Sequence, residues 1–139
     1  MEFMGFPINI LAIVISALVA FGIGFVWYAV LFKTIWPAAH GFTPQKMAQL
    51  SNNSPAAMGV SFVGYLVTAT VLSLIFAQFN INDIQTALGL TFSIWLGFPA
   101  VMSLMNAMYS GESLTVYAID IVYELIYSLT TACIIVMMK

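Results

Sequence analysis

Charge is the feature that this sequence has least of. Only 6% of its 139 residues are Asp, Glu, Lys or Arg, whereas a soluble domain carries about 25%. There are three lysines and no arginine, so no basic patch is available to neutralise phosphates, which argues against nucleic-acid binding. The hydrophobic fraction of 63% and the mean hydropathy of +1.05 indicate instead a protein whose surroundings are the lipid bilayer.

Metal ligands and catalytic groups are scarce as well. Cys133 and His40 are the only residues of their kinds, so we predict no internal disulfide and no zinc cluster, and we interpret His40 as an ordinary loop residue. No phosphate-binding glycine loop and no Ser/His/Asp set in the apolar runs is found. We therefore predict no cofactor, no catalytic residue and no enzymatic activity. Met102, Met105 and Met108 recur every three residues; packing is the favoured interpretation, and Cu(I) binding is the alternative.

Long apolar runs dominate what remains. Four of them, at about 8–32, 56–79, 84–108 and 114–138, contain 24 or 25 residues each. A helix of that length measures about 36 Å and crosses a hydrocarbon layer of about 30 Å. The first run has no basic residues before it and is too long for a signal peptide, so we expect it to be retained. The prediction is an all-α integral membrane protein with one domain, 1–139, and four transmembrane helices.

The first loop contains signals for a short helix on the membrane surface. Thr43 is a suitable N-cap, and Pro44 suits the first helical position, which predicts an interfacial helix over 44–50. The polar run 51–55 is expected to be a turn that precedes the second span. Pro37 is expected to end the helix that precedes it.

Three further residues predict local features of the last two spans. Asp83 is placed to cap the third span, and Glu112 is expected either in the first turn of the fourth or as its cap. Pro99 lies within the third span and cannot donate to the carbonyl of Trp95, which predicts a kink there.

Two spans carry small residues at every fourth position, which lets another helix approach closely. We therefore predict that spans one and three pack against each other through these stripes, which are Ser16, Ala20 and Gly24 in span one and Gly89, Ser93 and Gly97 in span three. The aromatic residues that follow in the chain suggest an interfacial belt. The alternative is that Trp27 and Tyr28 line a ligand pocket. Trp36 is interpreted as an interfacial anchor, whereas Trp27 is assigned equally to anchoring and to the pocket.

The most informative feature is a pair of acidic residues inside the fourth span. Asp120 and Glu124 lie one helical turn apart on a polar face about 100° wide. An acidic residue at the centre of a membrane helix costs about 2.5–3.5 kcal/mol on insertion scales. Desolvation and the proximity of a second carboxyl favour the protonated form, so we expect the pair to hold at least one proton at neutral pH.

The acidic pair leaves several functions open. In one hypothesis a small oligomeric membrane protein binds or translocates a small solute, a cation or protons. The residues that form this predicted site are Asp120, Glu124, Tyr117, Tyr127, Tyr65 and Trp27. In the alternative the protein is a non-catalytic accessory or structural subunit, and the carboxyls bond to Tyr65, to Thr68 or to the Trp95 carbonyl. An intramembrane hydrolase that uses both carboxylates is a third interpretation.

Short motifs along nearly the whole chain resemble one family. They are Gly22-Ile23-Gly24-Phe25-Val26-Trp27-Tyr28, the loop Gly41-Phe42-Thr43-Pro44-Gln45, Trp95-Leu96-Gly97-Phe98, and Ile119-Asp120 followed by Tyr123. Together they resemble a bacterial four-helix membrane family catalogued as domain of unknown function 1761. The resemblance implies a multi-pass protein of the bacterial inner membrane, and it implies no activity.

The distribution of lysines predicts the orientation of the chain. Lys33 and Lys46 lie in the first loop, so the positive-inside rule favours a cytoplasmic first loop and external termini. Lys139 at the C-terminus opposes this assignment.

Overall fold

The computed structural model describes all 139 residues, Met1–Lys139. Its order is β1 (Glu2–Phe3), β2 (Phe6–Pro7), α1 (Ile10–Val26), a π-helical turn (Trp27–Leu31), α2 (Ile35–His40), α3 (Pro44–Gln78), α4 (Ile84–Trp95), a second π-helical turn (Leu96–Ala100), α5 (Val101–Ser110) and α6 (Leu114–Met137). Four continuous helical stretches are long and apolar enough to cross a membrane: Ile10–Leu31, Pro44–Gln78, Ile84–Ser110 and Leu114–Met137. The predicted all-α architecture with four membrane-spanning helices is confirmed.

α6 is the central helix of the bundle. It packs against α1, α2, α3, α4 and α5. Because several helices contact it, its buried residues are not confined to one side, and they are Val116, Ile119, Ile121, Tyr123, Thr131, Ala132 and Ile135. The end of α6 is tied to the start of α1, where Nδ2 of Asn9 donates to the carbonyl of Met138 at 2.8 Å.

α3 corrects the prediction for the first loop. Thr43 caps it as predicted, because its Oγ1 accepts from the amide of Lys46 at 3.1 Å. The predicted turn at 51–55 is wrong, since the helix continues through Pro55 to Gln78 without a break. Residues 44–53 are exposed, so water or polar side chains can satisfy the backbone carbonyl that Pro55 leaves without a donor. A helix of 35 residues measures about 52 Å, and its first turns therefore project beyond the bilayer.

The remaining helix ends fit the sequence only in part. Oδ2 of Asp83 accepts from the amide of Thr86 at 2.8 Å, so its predicted capping role is confirmed. The cap of α6 is Ser113 rather than Glu112. Pro37 does not end a helix: it lies in the first turn of α2, where a missing N–H is harmless.

Both odd-numbered spans contain a π-helical turn. Pro99 lies in the turn Leu96–Ala100, which confirms an irregularity at this point of the third span. The turn Trp27–Leu31 at the end of the first span was not predicted, because no proline or glycine marks it. Such turns are rare and occur often at functional sites.

The prediction that the two small-residue stripes pack together is wrong. Ser16 and Ala20 are each 1% exposed, but α1 packs against α3 and α6 rather than α4. The glycines and the serine of the stripe in span three are all exposed. The reason is the central position of α6: α1 and α4 each pack against α6 and not against one another.

Candidate functional site

The two acidic residues of α6 face different surroundings. Asp120 lies about 9 Å from the start of α6 and Glu124 about 15 Å from it, near the middle of the span. None of the three lysines bonds to either carboxylate. The only lysine side chain with hydrogen-bond partners is that of Lys139, which donates to the Ile81 carbonyl and to Oδ1 of Asn82 at the opposite end of the bundle.

Asp120 is held by two aromatic donors. The hydroxyl of Tyr28 donates to its Oδ1 at 2.6 Å, and Nε1–H of Trp36 donates to the same oxygen at 2.9 Å. Tyr28 comes from the first π-helical turn, and Trp36 comes from α2. Trp36 therefore turns its indole inward onto a carboxylate, which corrects its interpretation as an interfacial anchor.

Two further polar side chains lie beside Asp120. Ligand atoms of His40, Glu112 and Asp120 all lie within 4.8 Å of one another. His40 is the last residue of α2, and Glu112 precedes the cap of α6. His40 is therefore not an isolated loop residue, although sequence analysis treated it as one.

Glu124 lines a groove between α3 and α4. These helices follow one another in the chain, but each packs against α6, and the gap between them forms a groove of about 290 Å³. Its lining residues are Val67, Thr68, Val71, Leu72, Ile75, Thr91, Ile94, Trp95, Pro99, Glu124, Tyr127 and Ser128. Glu124 makes no side-chain hydrogen bond, and Oγ1 of Thr91, a residue 2% exposed, is buried without a partner. The groove thus contains a carboxyl without a hydrogen-bond partner, and the buried hydroxyl of Thr91 in its wall has no partner either.

Three tyrosines, Tyr65, Tyr123 and Tyr127, form a contact group between α3 and α6. The single hydroxyl hydrogen of Tyr123 is donated to the carbonyl of Ala20 at 2.8 Å. Because that hydrogen is used, the hydroxyl of Tyr65, 2.7 Å away, is the donor to Tyr123. The ring of Tyr127 packs against the rings of Tyr65 and Tyr123, with centroid distances of 5.1 Å to each.

The six residues of the predicted site are therefore distributed over several places. Glu124 and Tyr127 share the groove, whereas Asp120 does not line it. Tyr117 donates to the carbonyl of Ala100 at 2.9 Å. Tyr65 belongs to the tyrosine group, and Trp27 lies outside the groove.

Two tryptophans fix the backbone of α6. Nε1–H of Trp27 donates to the carbonyl of Ile119, and that of Trp95 donates to the carbonyl of Ile121, both at 3.0 Å. The two carbonyls flank Asp120 in the chain. Each of these tryptophans lies at or next to a π-helical turn, so both irregular turns place an indole against the same part of α6.

Sequence reasoning missed the grouping of Tyr28, Trp36, His40 and Glu112 around Asp120, and it missed Thr91. The first four come from parts of the chain separated by more than seventy residues, from Tyr28 in the first span to Glu112 before the fourth. In the sequence they share only that each is polar or aromatic and lies near the end of span one or the start of span four. Thr91 had no signal, because a threonine in an apolar run is ordinary.

Three apolar spans packed against a central fourth span, α6, define a polytopic membrane protein of the four-span class. The chain belongs to the DUF1761 family, described as a protein of unknown function, whose family model matches residues 11–136. This confirms the resemblance drawn from the sequence motifs. No curated protein and no solved structure matches the chain.

Proposed function

We propose that this protein binds a small organic cation in the groove between α3 and α4, with the Glu124 carboxylate as counter-ion. The observation that carries the proposal is a carboxyl without a hydrogen-bond partner near the middle of a membrane-spanning helix. Acidic residues at such a depth are rare, and they usually mark a solute, ion or proton pathway.

The chemistry of the groove favours a cation with an N–H group. Glu124 can accept hydrogen bonds, and the hydroxyls of Thr68, Thr91 and Ser128 can accept or donate them. The lining contains no Lys, Arg or His, so no fixed positive charge neutralises Glu124 or repels a cation. The aromatic rings of Trp95 and Tyr127 provide faces that attract positive charge.

The dimensions and shape of the groove suit a small solute. A volume of about 290 Å³ lies at the lower end of the range for ligand pockets, about 300–1,000 Å³. The wall formed by Val67, Val71 and Ile75 suits the alkyl part of an amphiphilic amine. We therefore expect a short-chain primary amine in its protonated form to be a better ligand than an inorganic cation.

The test uses n-butylammonium as the probe and n-butanol as its uncharged match. Purified protein in lipid nanodiscs is titrated with each, and the shift in thermal unfolding is measured. At a concentration one hundred times its Kd, a ligand specific for the folded state stabilises it by about 2.7 kcal/mol. We expect n-butylammonium to raise the unfolding temperature of the wild type and n-butanol to leave it unchanged.

Three variants separate the groove from the rest of the protein. Glu124→Gln and Thr91→Val are expected to reduce the shift produced by n-butylammonium. Thr130→Val is the matched control for Thr91→Val, because Thr130 bonds to the carbonyl of Ile126 on its own helix and does not line the groove. Equal shifts in the wild type and in Glu124→Gln would refute the proposal. Flux of the probe into liposomes then distinguishes translocation from binding.

We also propose that the protein is oligomeric. The stripe formed by Gly89, Ser93 and Gly97 is exposed on span three, and an exposed stripe of small residues suits helix association in a bilayer. Light scattering of the detergent-solubilised protein measures the mass, and Ser93→Leu is expected to reduce it. A monomeric wild type contradicts this part of the proposal.

We further propose that the protein lies in the bacterial inner membrane with α2 and the start of α3 in the cytoplasm. The support is the position of Lys33 and Lys46 at this end of the bundle, opposed only by Lys139 at the other. A single cysteine introduced at Gln49, in a Cys133→Ala background, is expected to resist an impermeant thiol reagent in intact cells. Labelling without lysis would reverse the orientation.

A further inference from the structure

We propose that His40, Glu112 and Asp120 form a binding site for a divalent transition-metal ion at one end of the bundle. Their ligand atoms lie within 4.8 Å of one another, although they come from α2, from the turn before α6, and from α6 itself. Ligands of one zinc ion in tetrahedral coordination stand about 3.4 Å apart. Rotation about the side-chain bonds of Glu112 is enough to close a difference of this size.

Asp120 is oriented in the manner of a metal ligand. Tyr28 and Trp36 both donate to its Oδ1, while no hydrogen bond reaches its Oδ2. Metal-binding carboxylates are commonly fixed by such outer hydrogen bonds, which set the direction of the free oxygen. The two aromatic donors therefore leave Asp120 with one oxygen available to an ion.

His40 supplies a nitrogen that the protein itself does not use. Its imidazole stacks on the ring of Phe42, with a centroid distance of 4.5 Å and an interplanar angle of 12°. The indole of Trp36 meets the imidazole edge-on at 4.2 Å. Nε2 of His40 is buried and has no hydrogen-bond partner. The imidazole is held in place, and its buried nitrogen has no partner within the protein. A metal ion can be that partner, because a neutral imidazole coordinates a metal through the lone pair of a ring nitrogen.

The charge of the site specifies a divalent ion. Two carboxylates stand together near the end of a membrane span, and no lysine bonds to either of them. With a neutral imidazole, two carboxylates and one divalent cation give a site of zero net charge, which suits its place at the edge of the hydrocarbon. One nitrogen and two carboxylate oxygens favour Zn²⁺, Mn²⁺ or Fe²⁺ over Mg²⁺ and Ca²⁺, which prefer oxygen ligands alone.

Direct titration of the full-length protein, without an affinity tag, tests the site. Chelator-treated protein in lipid nanodiscs is titrated with Zn²⁺ and Mn²⁺ by calorimetry, and Mn²⁺ binding is also followed by electron paramagnetic resonance. We expect one Zn²⁺ per chain with a Kd in the micromolar range or tighter, and a Kd for Mg²⁺ at least 100-fold weaker. The proposal would be overturned if neither Zn²⁺ nor Mn²⁺ bound with one ion per chain. It would also be overturned if Mg²⁺ bound as tightly as Zn²⁺.

Variants assign the ligands. His40→Gln, Glu112→Gln and Asp120→Asn are each expected to weaken Zn²⁺ binding by at least 10-fold. Tyr28→Phe is expected to weaken it by about 10-fold through the loss of orientation at Asp120. Glu124→Gln is the matched control, since it replaces a carboxyl group one turn further along α6 and should leave Zn²⁺ affinity unchanged.

The design keeps the result interpretable if one variant fails to fold. His40 and Glu112 lie outside the spanning helices, so their variants remain informative if Asp120→Asn is unstable. Unchanged Zn²⁺ affinity in folded His40→Gln and Glu112→Gln refutes the assignment. Equal losses in Glu112→Gln and Glu124→Gln refute it as well, because the effect would then follow the loss of any nearby carboxyl and not of these ligands.

Discussion

Substitution of Gly24 by alanine tests a close contact between α1 and α6. A Cβ atom at Gly24 would lie 2.7 Å from the hydroxyl oxygen of Tyr123 and 3.2 Å from its Cζ. Tyr123 is only 6% exposed, and its hydroxyl is held by Ala20 and Tyr65. The ring therefore has little freedom to move away, and the new methyl group must displace either Tyr123 or α1.

The magnitude follows from three effects. Overpacking a well-filled site costs about 1–3 kcal/mol. Displacing the Tyr123 hydroxyl removes two hydrogen bonds, which average about 0.6 kcal/mol each in a membrane protein. The higher helix propensity of alanine offsets about 1 kcal/mol. We expect Gly24→Ala to lower the free energy of unfolding by about 1–3 kcal/mol.

Reversible unfolding in mixed micelles with increasing sodium dodecyl sulfate, followed by circular dichroism, measures the effect. Gly22→Ala is the matched control, because a Cβ at Gly22 meets nothing within 4 Å. The double variant Gly24→Ala/Tyr123→Phe lacks the hydroxyl that the methyl group would meet, and should be at least 1 kcal/mol more stable than additivity of the single changes predicts. If Gly24→Ala is as stable as Gly22→Ala, or if the double variant shows no such coupling, the inferred contact is refuted.

Three further predictions concern a carboxylate, a helix cap and a kink. Asp120→Ala should lower the free energy of unfolding by about 1–3 kcal/mol because two donors lose their acceptor, whereas Asp120→Asn keeps an acceptor oxygen and should lose less; the same assay compares them. Hydrogen bonds from Thr86 hold the pKa of Asp83 below its usual 3.8. Its stabilising effect should therefore be present above that value and be lost as the pH falls through the lowered pKa. Acid unfolding of Asp83→Ala measures this, and a stability difference from the wild type that stays constant down to pH 2 contradicts it. Pro99→Ala restores a backbone N–H and should regularise the π-helical turn, which would weaken n-butylammonium binding. Unchanged affinity would show that the shape of the groove does not depend on this turn.

Local signals in the sequence predicted the spans and most of the caps. Runs of 24 or 25 apolar residues must be helical in a bilayer, because no water is available to satisfy their backbone groups. The caps at Thr43 and Asp83 depend on side chains only three residues from their partners. Pro55 was misleading, because the sequence does not show whether the backbone around a proline is exposed to water, which can satisfy the carbonyl left without a donor.

Contacts between distant segments were not predictable from helical spacing. The stripe of small residues in span three has the same period as that in span one, but which helix covers a stripe depends on the order of packing around α6. Likewise, His40 meets Asp120 because α2 turns back over the end of α6. One sequence contains no measure of such proximity when the residues are eighty positions apart.

The place of a carboxyl on a helix does not by itself define its site. Asp120 and Glu124 differ by about 40° of rotation and about 6 Å of rise, so a helical projection puts them on one face. At the level of Asp120, that face meets Tyr28 and Trp36. At the level of Glu124, α3 and α4 have diverged and leave a groove. The neighbours at each level therefore decide what each carboxyl can bind. Asp120→Asn and Glu124→Gln become controls for one another, because each replaces one carboxyl of α6 by an amide, and only the site that loses its own ligand should respond.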